Sequence, residues 1–168
     1  LCYGFFNIDT IFNKRYYVFF IISHKPREIV RYAVTENPTR EFVRQQIIEV
    51  ENKMAYMIHD NAVQFNLDFL SYGIKGIATS IMAPNMNPVA ERFLKNAIVE
   101  ALDYFIILNK KQLKNILTEY ICYYNTKRPH QGIDQKIIPT NYISQNKGKI
   151  VVMPILSGSH HHYYRRAA

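Results

Sequence analysis

The sequence has few cysteines and no long apolar run, and both absences narrow what the chain can be. Its two cysteines, Cys2 and Cys122, are too few for a disulfide framework or a four-cysteine zinc site. The longest uninterrupted apolar run, residues 16–22, is far below the roughly 20 residues that a membrane-spanning helix needs. We also expect no cleavable signal peptide. We therefore expect no membrane partner and a reducing, cytoplasmic setting.

Motifs of several enzyme classes are also missing. The sequence has no phosphate-binding P-loop, dinucleotide fingerprint or Gly-x-Ser-x-Gly elbow, so ATP-driven, hydride-transfer and serine-hydrolase chemistries have no support. The run Gly73-Ile74-Lys75-Gly76 has the form of the GXXG loop of RNA-binding KH domains, but a single four-residue match is weak. The histidines at 160–162 resemble a metal-binding tract. Their setting favours a native tail, and we predict no zinc site there.

What the chain does have is apolar material for a core and an uneven distribution of charge. Of 168 residues, 48% are hydrophobic and 20% charged, which indicates one folded α/β or α+β domain. The net charge is +8, yet residues 1–91 hold 9 basic and 9 acidic residues, whereas residues 92–168 hold 12 and 4. This excess favours a polyanionic partner, because Lys and Arg that contact phosphates release condensed counterions. A basic surface that only aids solubility is the alternative.

Runs of aromatic and β-branched residues predict the strands. Three consecutive runs, at residues 5–12, 16–22 and 28–35, have short polar connections and predict an antiparallel meander. Two further apolar runs, at 55–58 and 73–77, alternate with helical patterns and predict parallel crossovers joined to the meander. The expected fold class is therefore α/β.

Helix-start signals and apolar spacing predict three main helices. The second has an apolar stripe that reaches Phe105 and a polar face that includes Glu91, Arg92 and Lys95. The third begins with a capping-box pattern, Asn109 followed by Gln112. The helices are predicted from Asn37-Pro38 to about Asn52, from Asn87-Pro88 onward, and from Asn109 to Arg128-Pro129.

Three acidic residues occupy suggestive places along these elements. Asp9 lies on the first predicted strand, Asp60 at the carboxyl end of the fourth, and Glu91 on the first turns of the second helix. Functional groups gather beyond the carboxyl ends of parallel strands. Carboxylates that converge there are suited to binding two Mg²⁺ ions. Such a pair of ions activates an attacking oxygen and stabilises the transition state of phosphoryl transfer. The alternatives are structural: Asp9 as a turn residue, Asp60 as a cap, and Glu91 paired with Lys95 one turn on.

Four runs around these acids form a recognisable series. They are, in order, His59-Asp60-Asn61-Ala62-Val63-Gln64-Phe65, Gly73-Ile74-Lys75, Pro84-Asn85-Met86-Asn87-Pro88-Val89-Ala90-Glu91-Arg92-Phe93 and Tyr123-Tyr124-Asn125-Thr126-Lys127-Arg128-Pro129-His130. This series resembles the integrase catalytic core of DDE transposases and retroviral-type integrases, and most of all the integrase-core proteins of bacterial mobile elements. The resemblance implies a ribonuclease-H-like fold with a five-stranded mixed sheet flanked by helices. It also implies metal-dependent DNA strand cleavage and strand transfer.

Carried over by position, the resemblance makes Asp60 the second catalytic carboxylate and Glu91 the third. For the first, relatives often have an acid at the position of Gly4 and another at that of Asp9, and we assign Asp9 because no other acid precedes the hairpin. The implied cofactor is a pair of Mg²⁺ or Mn²⁺ ions held by Asp9, Asp60 and Glu91. Only 30 residues separate Asp60 from Glu91, fewer than is usual in these enzymes.

The resemblance also implies partners and supporting residues. The expected partner is DNA, both element ends and target, bound by a homo-oligomer that is nucleoid-associated if bacterial. We expect a catalytic core in residues 1–130 and an irregular basic tail in residues 131–168. The alternative is a decayed module that keeps the fold and binds DNA or assembles with partners without catalysis. The supporting residues are Asn61, Asn87 and Pro88, and the expected DNA-binding residues are Arg92, Lys95, Lys127, Arg128 and His130.

Overall fold

The computed structural model describes residues 1–50, 56–59, 75–78, 88–138 and 147–166. Its first part is the antiparallel meander that the sequence predicts, built from β1 (Cys2–Asp9), β2 (Arg15–Ile22) and β3 (Ile29–Thr35). The first strand ends before the predicted residue 12, because Thr10 begins a turn. The Thr10 hydroxyl accepts from the Lys14 backbone N–H at 3.0 Å, and the Thr10 N–H donates to the Lys14 carbonyl at 2.8 Å.

Two short parallel strands complete the main sheet. β4 (Tyr56–His59) lies beside β1, with Cys2 opposite Ile58, and β5 (Lys75–Ala78) lies beside β4. The strand order is β3-β2-β1-β4-β5, with antiparallel pairs in the meander and parallel pairs beyond it. The predicted fold class, a five-stranded mixed sheet with flanking helices, is confirmed.

The first helix, α1, spans Arg40–Ile48. The sequence predicts Asn37 as its N-cap and Pro38 as its first residue, so the helix begins two residues later than predicted. The N-cap is Thr39, whose hydroxyl accepts from the Phe42 N–H at 3.2 Å. Asn37 instead belongs to a turn with Thr35, because its N–H donates to the Thr35 hydroxyl at 3.1 Å. The helix ends at Ile48, short of the predicted Asn52.

Two helices cover the opposite face of the meander. α2 (Pro88–Glu100) buries Ala90, Phe93 and Ala97, and a short 3₁₀ turn replaces its predicted extension toward Phe105. α3 (Lys110–Thr126) begins as predicted: the Asn109 side chain accepts from the Gln112 N–H at 2.9 Å. No helix in the described ranges is long and apolar enough to cross a membrane. All six residues predicted for the buried face of α3 are buried: Leu113, Ile116, Leu117, Tyr120, Ile121 and Tyr124.

The C-terminal part departs from the prediction of an irregular tail. β6 (Ile150–Ile155) and β7 (His160–Arg165) form an antiparallel hairpin that makes a second sheet. Ile155 and Leu156 at its turn are buried in the same cluster as Phe93 and Tyr120. This packing stabilises the hairpin, since an isolated two-stranded hairpin is at best marginally stable in water. The expectation of irregular structure is therefore wrong for residues 150–165, and the boundary at residue 130 remains a prediction.

The two cysteines differ in environment, which gives a simple test of the core. Cys2 is fully buried, and burial raises the pKa of its thiol to about 11, whereas Cys122 is exposed on α3. At pH 8 only about one in a thousand Cys2 thiols would be ionised, and that thiol is also shielded from reagents. We expect a thiol reagent to modify one cysteine in the folded protein and two in urea. Rapid modification of both in the folded state would contradict this packing.

Candidate nucleic-acid interface

An open groove of about 1160 Å³ runs between the polar face of α2 and the segment that follows α3. The groove exists because α2 and α3 both turn their apolar faces toward the meander, which leaves polar side chains along the seam between them. The residues that line it include four predicted site residues of α2, Pro88 among them, and two from the segment after α3. Its main charged and aromatic lining residues are Arg27, Glu91, Arg92, Lys95, Glu100, Tyr123, Tyr124, Arg128, His130 and His160.

Glu91, Arg92 and Lys95 lie together on the exposed face of α2, as the sequence predicts. Ala90 and Phe93 turn toward the core on either side of them, so the helical period carries these three side chains outward. Pro88 begins the helix and is exposed. This part of the groove presents two cations beside one carboxylate, an arrangement suited to contact with phosphates.

Arg128 closes the far side of the groove through a polar network with Glu100. Its Nε donates to Oε2 of Glu100 at 2.7 Å and its Nη2 to Oε1 at 2.5 Å, and the hydroxyl of Tyr120 donates to Oε2 at 3.0 Å. Burial alone would raise the pKa of Glu100, but the bonds and charge of Arg128 outweigh it and hold that pKa below its usual range. The guanidinium of Arg128 is thus committed to Glu100, and its predicted contact with DNA stays a prediction.

His130 and Lys127 are also held by neighbouring parts of the protein. The His130 ring, only 3% exposed, donates from Nε2 to the Tyr124 carbonyl at 2.9 Å and packs edge-on against the Tyr124 ring. Burial lowers the pKa of His130 below its usual range, and the nearby charges of Arg128 and Arg27 act in the same direction. Lys127 places its Nζ 2.9 Å from Sδ of Met153 in the hairpin. His130 therefore stabilises the segment that follows α3.

The lowered pKa of His130 predicts loss of stability in mild acid. Because the pKa of His130 is lower in the folded protein, the histidine of the unfolded chain binds a proton at a higher pH than the folded one does. The free energy of unfolding therefore falls as pH drops below about 6.5. We expect His130→Gln, which keeps a side-chain donor, to reduce this loss when urea unfolding is compared at pH 7 and pH 5. His161→Gln, at an exposed position of the hairpin, is the control. Identical pH dependence in wild type and His130→Gln would contradict the burial of a neutral ring.

Asp9 lies at the end of β1, where it forms an exposed pair with Arg15 of β2. Nε and Nη2 of Arg15 donate to the two carboxylate oxygens at 2.7 and 2.9 Å, and these bonds lower the pKa of Asp9. The opposite end of β1 meets the start of α2, where the backbone N–H of Ala90 lies close enough to the Cys2 thiol to act on its pKa. Asp9 lies seven positions along the strand from Cys2, which corresponds to about 23 Å. The structure therefore does not bring Asp9 and Glu91 together.

Gly4, the other position considered for the first acid, lies near the α2 end of β1 and is paired with Phe20 of β2. A Cβ at Gly4 would lie 2.7 Å from Cζ of Phe20, so any side chain there requires that ring to move. The ring is buried and tilted against Phe93, with 4.7 Å between centroids. Phe20 thus fills the space that a side chain at position 4 would occupy.

The remaining predicted site residues lie outside the described residues: Asp60, Asn61 and Asn87. Within the described part of the chain, no three His, Cys, Asp or Glu side chains lie close enough to hold a metal ion. Of the three predicted metal ligands, Glu91 is the one that the structure describes on the groove, and the donors described around it do not by themselves fit a metal pair.

The mixed sheet of order β3-β2-β1-β4-β5, with a helix that presents an acidic residue beside it, has the ribonuclease-H-like architecture of integrase and transposase cores. Residues 72–137 match the integrase core domain family, a stretch that contains Glu91 and all five predicted DNA-binding residues. The resemblance to integrase cores is thereby confirmed, and the bacterial mobile-element type stays a prediction. Among curated proteins, none matches this chain.

Solved structures agree on the fold at low sequence identity. A chain in the cryo-EM structure of the simian T-cell lymphotropic virus intasome with PP2A regulatory subunit B56 gamma has a TM-score of 0.66 and 12% identity over 93% of this chain and 63% of its own. The catalytic domain of Mos1 mariner transposase has a TM-score of 0.61 and 13% sequence identity, over 72% of this chain and 68% of its own. The HTLV-2 integrase catalytic core domain, in a dimeric form with magnesium, has a TM-score of 0.60 and 11% identity, over 82% of this chain and 90% of its own. The chain thus spans less than two thirds of the intasome chain.

Sequence reasoning missed the residues that close the groove. Glu100 lies two turns after Arg92 on α2, so its place on the polar face follows from the helical period. Its pairing with Arg128 joins positions 28 residues apart, and no local pattern announces it. His160, predicted only as part of a native tail, donates from Nε2 to the Glu100 carbonyl at 2.6 Å and stacks on Tyr123.

Proposed function

We propose that this chain acts in DNA integration as an integrase-fold domain that binds DNA along the groove between α2 and the segment after α3. The observation that carries the proposal is the convergence of Arg27, Arg92 and Lys95 on one open groove of a fold shared with integrase and transposase cores. The net charge supports it, because residues 92–168 hold 12 basic residues against 4 acidic ones. Phosphates in the groove would meet these cations directly.

The carboxylates favour DNA binding without strand cleavage as the function of this chain. A two-metal site needs acids that share ions about 3.5–4 Å apart. The acid of β1, Asp9, is bonded to Arg15 at the far end of that strand from the start of α2, and position 4 is a glycine beneath the ring of Phe20. Glu91 is then left to interact with the cations beside it.

A second candidate is metal-dependent strand cleavage and strand transfer through Asp9, Asp60 and Glu91 with two Mg²⁺ or Mn²⁺ ions. The family match over residues 72–137 and the magnesium in the similar HTLV-2 core favour it. When bound, such ions would activate an attacking oxygen and stabilise the leaving one. Assembly into a homo-oligomer on element ends and target DNA is part of both candidates, and the dimeric form of the HTLV-2 core supports it.

Binding and cleavage are tested on the same purified chain. We expect Arg92→Gln/Lys95→Gln to weaken binding to a 30-base-pair duplex about tenfold at moderate salt and to reduce the slope of log affinity against log salt by about 2. Lys111→Gln/Lys114→Gln, which removes two charges from the exposed face of α3, is the matched control. Equal affinities for both variants and wild type would refute the groove as the DNA site.

The cleavage assay separates the two candidates. With Mg²⁺ or Mn²⁺ and a nicking substrate, the binding proposal expects no product from wild type. If wild type nicks DNA and both Glu91→Gln and Asp60→Asn abolish the nicking, the metal-dependent reaction replaces binding without cleavage as the proposed function. Nicking at the wild-type rate in both variants would indicate a contaminating nuclease and count against the cleavage candidate.

A further inference from the structure

The β6-β7 hairpin has one face against α3 and one open face. Toward α3, the His160 ring stacks on Tyr123 with 5.0 Å between centroids, and the N–H of Leu156 donates to Oε1 of Glu119 at 2.6 Å. Side chains of the alternate positions point the other way and are exposed, among them Val152 and its cross-strand partner Tyr163, which is 63% exposed. The hairpin therefore presents a free ribbon surface with an aromatic ring at its centre.

The open end of this ribbon carries only positive charge. Residues 147–166 contain four Lys and Arg residues and no Asp or Glu, and all four lie where the two strands end. We call this group, which is exposed throughout, the basic end of the hairpin: Lys147, Lys149, Arg165 and Arg166. A cluster of one sign without an acidic neighbour on its own element is complementary to a polyanion.

The backbone holds the basic end in a fixed arrangement. The Arg166 N–H donates to the Lys149 carbonyl at 3.0 Å, and Nη1 of Arg165 donates to the Gly148 carbonyl at 3.0 Å. Gly148 has a φ of +106°, and a Cβ there would collide with the Arg166 carbonyl oxygen, so this closure requires glycine. The cations are thus held on paired strands, which lowers the entropy that binding would cost.

The ribbon extends from the groove. His160, the first residue of β7, lines the groove, and Arg165 lies five residues further along the strand. Five residues of strand span about 17 Å, roughly the rise of five phosphates along one DNA strand. A DNA segment that leaves the groove past His160 would therefore meet Tyr163 and then the basic end.

We propose that the open face of the β6-β7 hairpin and the adjoining basic end together form a second DNA-contacting surface, in which the basic end binds backbone phosphates and Tyr163 packs against sugar or base. The inference rests on the proposed function, because it takes DNA as the ligand of the groove. It adds a surface that the sequence assigned to an irregular tail and that lies outside the residues 72–137 of the family match.

The test removes two cations that make no side-chain bond needed for the closure of the hairpin. We expect Lys149→Gln/Arg166→Gln to weaken binding of a 30-base-pair duplex about tenfold and to lower the salt slope by about 2, because two phosphate contacts are lost. Tyr163→Ser should weaken binding several-fold with the salt slope unchanged, because the contact of the ring with sugar or base neutralises no phosphate and releases no counterions. Lys111→Gln/Lys114→Gln is again the matched control, and thermal midpoints close to that of wild type verify folding.

Each outcome decides the inference separately from the proposed function. Wild-type affinity in the hairpin variant, or a loss equal to that of the α3 control, overturns the hairpin surface. If the groove variant Arg92→Gln/Lys95→Gln still loses affinity in that case, the proposed function stands alone. If the hairpin variant loses affinity while the groove variant does not, the hairpin binds DNA and the groove proposal fails.

Discussion

Gly4→Asp is expected to lower the free energy of unfolding by about 3 kcal/mol, of which overpacking contributes about 1–3 and an unpaired, partly buried carboxylate about 1–3. The cause is Phe20, whose ring atom Cζ would lie 2.7 Å from the new Cβ. That ring is buried and packed against Phe93 and Phe6, so moving it disturbs the core. Urea unfolding of wild type and variant measures the difference, which corresponds to a fall of about 6–12 °C in thermal midpoint for a chain of this size.

A double-mutant cycle assigns this cost to the ring. Phe20→Leu alone should cost about 1–2 kcal/mol through the cavity it leaves, but Gly4→Asp/Phe20→Leu should be more stable than the sum of the single changes by at least about 1 kcal/mol. Gly4→Ala, which adds the Cβ without the charge, should cost less than Gly4→Asp. Additive effects in the cycle would show that Phe20 does not occupy the space above position 4.

The same double variant bears on the chemistry. Relatives often have an acid at the position of Gly4, and this position lies near the end of β1 that meets the start of α2. If Gly4→Asp/Phe20→Leu gains Mg²⁺-dependent nicking that wild type lacks, then position 4 is where a metal ligand is missing. Continued absence of nicking would leave DNA binding as the activity of both proteins.

Arg128→Ala is expected to cost about 2–3 kcal/mol at pH 7, because it leaves the Glu100 carboxylate half-buried with only the Tyr120 hydroxyl as a side-chain donor. Breaking a fully buried ion pair costs about 3–5 kcal/mol. The side chains of Arg128 and Glu100 remain 18% and 25% exposed, so water recovers part of that cost. Thermal unfolding should record a midpoint about 4–12 °C lower.

The pH dependence of this loss identifies its origin. Wild-type stability that depends on the lowered pKa of Glu100 is present at neutral pH and is lost as pH falls through that pKa. Without Arg128, burial raises the pKa of Glu100, so the difference between variant and wild type should narrow from pH 7 to pH 4. Arg92→Ala, an exposed change on α2, is the control and should cost less than about 0.5 kcal/mol. Equal losses in the two variants would contradict the role of the pair.

The sequence predicts the helices of the core better than the ends of the elements. The six apolar positions from Leu113 to Tyr124 all face inward, because a helical period fixes which residues share a side. The start of α1 is misplaced, because Thr39 competes with Asn37 for the cap and nothing local decides between them. The hairpin is missed because Pro154 and three histidines interrupt the strand pattern, while its packing against α3 depends on contacts distant in sequence.

For the candidate site, exposure is predictable and partners are not. Glu91, Arg92 and Lys95 lie in the groove as the polar face of α2 predicts. Asp9 was assigned by elimination among acids, and its bond to Arg15 depends on a strand register that a sequence does not state. The burial of His130 and the pairing of Arg128 with Glu100 likewise arise from tertiary contacts.

Asn125, near the end of α3, has a consequence for how copies of this chain avoid one another. Its side-chain amide accepts from the Ile29 N–H at 2.9 Å and donates to the Ile29 carbonyl at 2.9 Å, as the backbone of a neighbouring strand would. β3 is one edge of the sheet, where unpaired backbone groups invite edge-to-edge aggregation. The amide of Asn125 occupies the pairing position of Ile29, the first residue of β3, so a single side chain blocks the addition of another strand at that end of the edge.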